Sequence, residues 1–299
     1  MMDRLSTFGI GTARGAEDDA TDERMAMVLS TGMRRGVTVL DTAINYRRGR
    51  SERVVGRAVR QALASGVTSR DKVVVCTKGG YVRQPGGVGT STAPPELHNS
   101  SGHCLEPDCL RYQIETSLET LGLPWVDLYF LHNPEEQASR MSPRPYWELM
   151  SRALATLEDA VNDGLIGAYG VATWRSGAQA TADGALDLVR LKQLAGKVAS
   201  TVDHFIAVQA PLSMLHQVAL APSHLFEGAR LSLPEVCTRL GIALVASASA
   251  GGRRAPALAA ASARWTASLP GVTTALVGTL DPVHLLEVLE PAGGEGGPR

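Results

Sequence analysis

Lys78 closes the apolar run Val73-Val74-Val75-Cys76-Thr77 in a chain that carries four lysines against twenty-five arginines, so a charge at this buried-looking place calls for a partner. Two other runs end in reactive groups in the same way. Val37-Thr38-Val39-Leu40 leads into Asp41, with Tyr46 following, and Val126-Asp127-Leu128-Tyr129-Phe130-Leu131 leads into His132. If the three strand ends converge, the four side chains form a proton-transfer set. A phenol with a pKa of about 10 is a poor acid at neutral pH, and a neighbouring ammonium stabilises the phenolate and lowers that value. Asp41 would keep Lys78 charged where burial alone would neutralise it, and His132 would hold a carbonyl oxygen beside the phenol. Such a set protonates an oxygen as charge develops on it. That is half of a carbonyl reduction; the hydride, which no side chain supplies, requires a nicotinamide cofactor.

The elements that must position these groups follow from the pattern of apolar residues. Short β-branched runs alternate with longer segments of helical periodicity, the signature of a parallel α/β architecture. Eight runs qualify as strands: Phe8–Thr12, Val37–Asp41, Val73–Lys78, Val126–His132, Ile166–Thr173, Phe205–Ala210, Ile242–Ser247 and Thr274–Gly278. Between them lie apolar stripes such as Val54, Val55, Ala58, Val59 and Ala62, or Leu110, Ile114, Leu118 and Leu121, closed by Gly66 and Gly122. Ser232-Leu233-Pro234-Glu235 reads as a capping box, and Asp281-Pro282 as an N-cap followed by proline at the first helical position. Eight strand-helix units predict a single (β/α)8 TIM barrel over residues 1–290, with its active site on the loops after the strands. A doubly wound open sheet is the alternative. Residues 79–107, rich in Gly, Pro, Ser and Thr, are too long for an ordinary connection and predict a functional loop after the third strand. The Gly-rich stretch 291–299 predicts a disordered tail.

Composition narrows the partners. A formal net charge of −1 and 44% hydrophobic residues fit a globular protein that buries a sizeable core. Without a basic block there is no electrostatic footprint for nucleic acid, and no apolar run is long enough to cross a bilayer. The N-terminal residues do not resemble an export signal, so a cytoplasmic location is expected. Cys76, Cys104, Cys109 and Cys237 have scattered spacings that fit reduced thiols.

The chain resembles the aldo-keto reductase superfamily from about Phe8 to Leu289. The likeness rests on Phe8-Gly9-Ile10-Gly11-Thr12, Leu40-Asp41-Thr42-Ala43-Ile44-Asn45-Tyr46, Ser51-Glu52-Arg53 with Gly56, Cys76-Thr77-Lys78-Gly79-Gly80, Val126 through Asn133-Pro134, and Ala168-Tyr169-Gly170-Val171. The resemblance implies a barrel that binds NADP(H) across its carboxyl face, with NAD(H) the alternative, and transfers hydride to a small-molecule aldehyde or ketone. By motif, Tyr46 is the general acid, Lys78 and Asp41 tune it, and His132 orients the carbonyl. On the cofactor side, Ala172-Thr173 stands where the family usually has Ser-Asn, Gln209 matches the carboxamide-binding glutamine, and Ser247 replaces a stacking tyrosine. Gly278 and Thr279 form the last phosphate turn, which lacks a cation for the 2′-phosphate; Arg253 or Arg254 would have to supply it. This thinner clamp leaves open a binding or regulatory module, or redox-neutral chemistry such as dehydration or epimerisation.

Other residues admit a bland reading beside a functional one. Arg47, Arg48 and Arg50 would steer an anionic substrate or simply be solvated. Ser51-Glu52 would start a helix or brace the Tyr46 loop, and Trp174 would wall the pocket or cover the core. His98, His103, Cys104 and Cys109 are metal-ligand types, but their spacing matches no zinc pattern, and no metal is expected.

Overall fold

A computed structural model describes residues 1–82, 102–175, 187–252 and 255–290. Eight parallel strands close into a barrel: β1 (Phe8–Gly11), β2 (Val39–Asp41), β3 (Val74–Gly79), β4 (Val126–His132), β5 (Ile166–Ala172), β6 (Phe205–Pro211), β9 (Ala243–Ser247) and β10 (Thr274–Val277). β10 closes on β1 through Phe8–Ala275 and Ile10–Val277 pairing. The barrel expected from the alternation is therefore present, and the open sheet is not. A short antiparallel hairpin, β7 (His224–Phe226) with β8 (Ala229–Leu231), lies between β6 and the next helix and was not expected.

Among the described residues, the α-helices outside the barrel are α1 (Asp19–Arg34), α2 (Arg50–Ala64), α3 (Pro107–Leu121), the one-turn α4 (Glu135–Ala138), α5 (Pro143–Asn162), α6 (Leu188–Val198), α7 (Leu233–Leu240), α8 (Pro256–Ser268) and α9 (Pro282–Leu289). Their starts follow the local chemistry. The Asp18 carboxylate accepts from Thr21 N at the head of α1, Ser232 and Glu235 form the expected capping box of α7, and Asp281 caps α9. Gly122 ends α3 in the left-handed conformation, φ 60°, which glycine adopts without steric cost.

Strand alternation sorts the core into two parts. Val39, Val74, Cys76, Leu128, Phe130, Ala168, Ala207, Val245 and Leu276 fill the barrel interior, while the opposite strand faces pack on the helices. The interior apolar layers end where Asp41, Lys78, His132 and Gln209 begin, so the polar groups sit on a rigid floor at the carboxyl end. At the amino end, buried Asp127 is paired with Arg4 (2.9 Å) and Arg70 (2.7 Å). No described helix is long and apolar enough to cross a membrane. All four cysteines are free and buried. Of the long loop 79–107, residues 83–101 lie outside the described residues, as does the tail 291–299. The two roots of the loop are joined by a Tyr81–His103 bridge.

Candidate active site

Lys78 is fully buried on β3, and its ammonium donates to Asp41 Oδ1 (2.8 Å), Asp41 Oδ2 (2.7 Å) and the Thr42 carbonyl (2.7 Å). All three ammonium hydrogens thus have an acceptor on β2 or just beyond it. Burial alone would lower the lysine pKa, but the Asp41 charge, with help from Tyr46, more than offsets it and the net direction is upward. Lys78 stays an ammonium. It lies 4.8 Å from the centre of the Tyr46 ring. Asp41, Lys78 and Tyr46, all expected from the sequence, are therefore brought together.

The sign of the Tyr46 pKa, however, corrects the expectation. Burial raises it most; Lys78 opposes the rise and Asp41 reinforces it, so the phenol ends above its usual value rather than below. Lys78 does lower the value, as expected, but by less than desolvation lifts it. Tyr46 thus rests protonated, with an ammonium at hand to stabilise the phenolate once the proton has left.

His132, the last residue of β4, meets the Tyr46 ring edge-on with centroids 5.7 Å apart. Burial first, then the Lys78 charge and the neighbouring His103, hold it well below the usual histidine range, so it is neutral, and its Nδ1 has no partner among the described residues. Behind it stands a support that sequence spacing concealed. His103 Nε2 donates to the His132 carbonyl (2.7 Å), and Gln137 Nε2 donates to His103 Nδ1 (2.9 Å), which fixes the His103 tautomer. Tyr81 packs edge-on between the two imidazoles, and its hydroxyl accepts from Asn133 Nδ2 (2.9 Å). His103 was visible only as a metal-ligand type; here it braces a strand end. His98 lies outside the described residues, and among the described residues no group of three acidic, His or Cys side chains could hold a metal ion.

The cofactor residues divide. Gln209 Nε2 donates to Asp41 Oδ1 across the barrel (2.8 Å). Because a carboxylate only accepts, the amide orientation is set with the nitrogen at Asp41, and Gln209 lines the cavity beside Tyr46. Thr173 is less open: its hydroxyl donates to buried Glu135 (2.7 Å) and accepts from Arg175 N (2.9 Å). Ser247 and Gly278 line a cavity of about 160 Å³ together with Tyr46, Asp41, Arg14 and Trp174. Thr279 lies further out in a larger cavity of about 600 Å³, with Arg14, Gly278 and His284, and its hydroxyl accepts from Asp281 N (3.1 Å). Arg14, Ala250, Gly252 and Gly278 border both cavities, so the two form one groove running from Tyr46 over Gly278 toward α9. Arg14 follows β1, where no apolar run announced it. Arg253 and Arg254 are outside the described residues.

Comparison with known proteins settles the family. The model of the Aldo/keto reductase family matches residues 7–253. The chain belongs to that family. It is 27% identical over 169 residues to NADH-specific methylglyoxal reductase of Escherichia coli, covering 56% of this chain and 47% of that protein. It is 36% identical over 114 residues to human aflatoxin B1 aldehyde reductase member 4, covering 38% and 28% respectively. The chain thus spans less than half the length of either of these curated relatives. Among solved structures, an aldo-keto reductase from Klebsiella pneumoniae in complex with NADPH superposes with TM-score 0.62 at 20% identity, over 95% of this chain and 84% of that one. Glycerol dehydrogenase from Gluconobacter oxydans superposes with TM-score 0.66 at 17% identity, over 98% and 88%. At such identities these structures speak for the shared barrel.

Proposed function

We propose that this aldo/keto reductase family member reduces a small aldehyde or ketone to an alcohol with NAD(P)H, Tyr46 donating the proton. The observation that carries the reading is the Tyr46 phenol, protonated at rest, set against the Lys78–Asp41 pair where the cavity beneath it meets the larger one toward α9. NAD(P)H, when bound, would supply the hydride. The residues of this chain do the rest. His132, neutral and steadied by His103, orients the carbonyl oxygen; Tyr46 passes its proton to the alkoxide, a far stronger base than a phenolate; Lys78 stabilises the phenolate left behind.

The groove suits the cofactor chemically. The Gln209 oxygen is an acceptor for the carboxamide, and the Arg14 guanidinium, which has no protein partner among the described residues, matches a pyrophosphate. Ser247, Gly278 and Thr279 line its path. Thr173 acts on this reading through Glu135 rather than by direct contact. NADP(H) is the cofactor expected from the family, and the name of the E. coli relative supports NAD(H) as the alternative.

The test is oxidation of NADPH and of NADH with a short carbonyl panel: methylglyoxal, nitrobenzaldehyde and glyceraldehyde. Reduction that vanishes in Tyr46→Phe while dinucleotide binding persists supports the reading. Folded protein that binds neither dinucleotide returns the chain to a binding module.

A further inference from the structure

The turn that carries Tyr46 is held in a conformation its own residues disfavour. Arg47 and Arg48 both stand in the left-handed region, at φ 51° and 53°, directly after the phenol. Side-chain-bearing residues are strained there and persist only when the surroundings over-determine them.

The two arginines differ in what holds them. Arg48 is exposed, and among the described residues its guanidinium meets Glu17 at the surface (3.1 Å). Arg47 is buried, and its guanidinium donates to the Ala16 carbonyl (2.7 Å), the Asp18 carbonyl (3.2 Å) and Asp22 Oδ1 (2.6 Å), with Met25 Sδ at 3.8 Å. Every one of these acceptors lies in or just before α1. That segment is itself anchored, because Asp18 caps α1 through Thr21 N (2.7 Å). Asp22 is also bound by Arg50 (2.8 Å) and Arg53 (2.8 Å), so it would keep two cations if Arg47 were removed. Neighbouring bonds lock the other side of the turn: Ser51 Oγ donates to the Thr12 carbonyl (2.8 Å), and Thr77 Oγ1 donates to Glu52 (2.6 Å). Neither reading offered for Arg47 holds: the buried guanidinium, bonded to the α1 end, is not solvated and does not face a substrate.

We propose that Arg47 is a positioning residue for proton transfer, clamping the strained turn onto the first turn of α1 so that the Tyr46 hydroxyl stays at Lys78. The inference rests on Tyr46 being the proton donor. Misplacing a reacting group by about 1 Å costs on the order of 100-fold in rate, which sets the scale.

The deciding variant is Arg47→Gly. Glycine accepts the positive φ, so the backbone strain disappears while the tether is lost, and a purely conformational need is met. The single-turnover rate at saturating NADH or NADPH is measured with the panel carbonyl reduced fastest by the wild type, alongside KM, dinucleotide affinity and melting temperature. The expected result is a rate lower by about 10- to 100-fold with dinucleotide affinity unchanged. In a Tyr46→Phe background the same substitution is expected to cost nothing further, because its effect runs through the phenol. Arg47→Lys should recover part of the rate. A rate within twofold of wild type, or an equal loss in both backgrounds, overturns the proposal. If Arg47→Gly does not accumulate as folded protein, Asp22→Asn is read by the same two criteria. Full activity of Tyr46→Phe would remove the reading of Tyr46 itself, whereas a normal rate in Arg47→Gly beside an inactive Tyr46→Phe would remove only the role of Arg47.

Discussion

The two ends of the groove satisfy their polar groups in opposite ways. Around Tyr46, Lys78 has three acceptors, Asp41 receives both Lys78 and Gln209, and Arg47 is bonded throughout to the α1 end. Toward α9, Arg14 has no partner among the described residues, and Thr279 and His284 line open space. A proton passes efficiently only between groups already in place, and at the inner end the charged groups Lys78, Asp41 and Arg47 are bonded within the protein, with His132 Nδ1 left unpartnered among the described residues. A ligand site needs donors that the ligand itself will complete, and Arg14, without a partner among the described residues, is such a donor.

The largest effect that would sharpen this contrast is at the phenol. Tyr46→Phe should lower the turnover rate by about 100- to 10,000-fold while leaving dinucleotide affinity, followed by fluorescence titration, nearly unchanged. Comparable losses in both quantities would show that the two ends are not separable.

Lys78→Met comes next and acts twice. It removes the group that opposes the rise in the Tyr46 pKa, so the phenolate becomes harder to form and the rate falls by about 100-fold or more. It also strands the buried Asp41 charge, which should cost about 3–5 kcal/mol in stability. The double variant Lys78→Met with Asp41→Asn should regain much of the melting temperature but none of the activity; recovery of both would refute the electrostatic role. For the wild type, reduction requires protonated Tyr46, whose pKa lies above its ordinary value, so the rate should stay level through neutral pH and fall only under strongly alkaline conditions.

At the outer end, Arg14→Ala should weaken binding of NADH and NADPH by about 10-fold, the loss of one charge-assisted contact, with the saturated turnover rate largely retained. A fall in turnover without a fall in affinity would place Arg14 with the inner end instead.

The smallest effect is on acid stability. His132 has a folded pKa depressed by burial, and His103 and His224 shift in the same direction. The unfolded chain therefore binds more protons below about pH 6.5, and stability should decline as pH falls from there through the folded values. His132→Asn should flatten that decline in a melting-temperature series; an unchanged slope would assign the sensitivity to His103 and His224.

How much of this was legible in the sequence depends on the range of the interaction. Lys78, Asp41 and His132 could be found because each ends an apolar run, and strand periodicity is local. The placement of Thr173 could not: Glu135 lies in another βα loop and captures its hydroxyl. Nor could Arg47, since a charged loop residue is usually solvated, whereas this one is covered by the first turn of α1. His103 offered only its residue type, and Arg14 not even a motif.

Residue order by itself determined the barrel and the strand ends on which reactive groups sit, because side-chain alternation and helix periodicity follow from backbone geometry within a few residues. Only the tertiary structure decided which way the Tyr46 pKa moves, that Gln209 bonds Asp41 from 168 positions away, and that one of two adjacent arginines is a clamp and the other a surface charge. Burial and long-range pairing exist only once the barrel has closed, and they set the energy of a charge more strongly than its neighbours in the chain do.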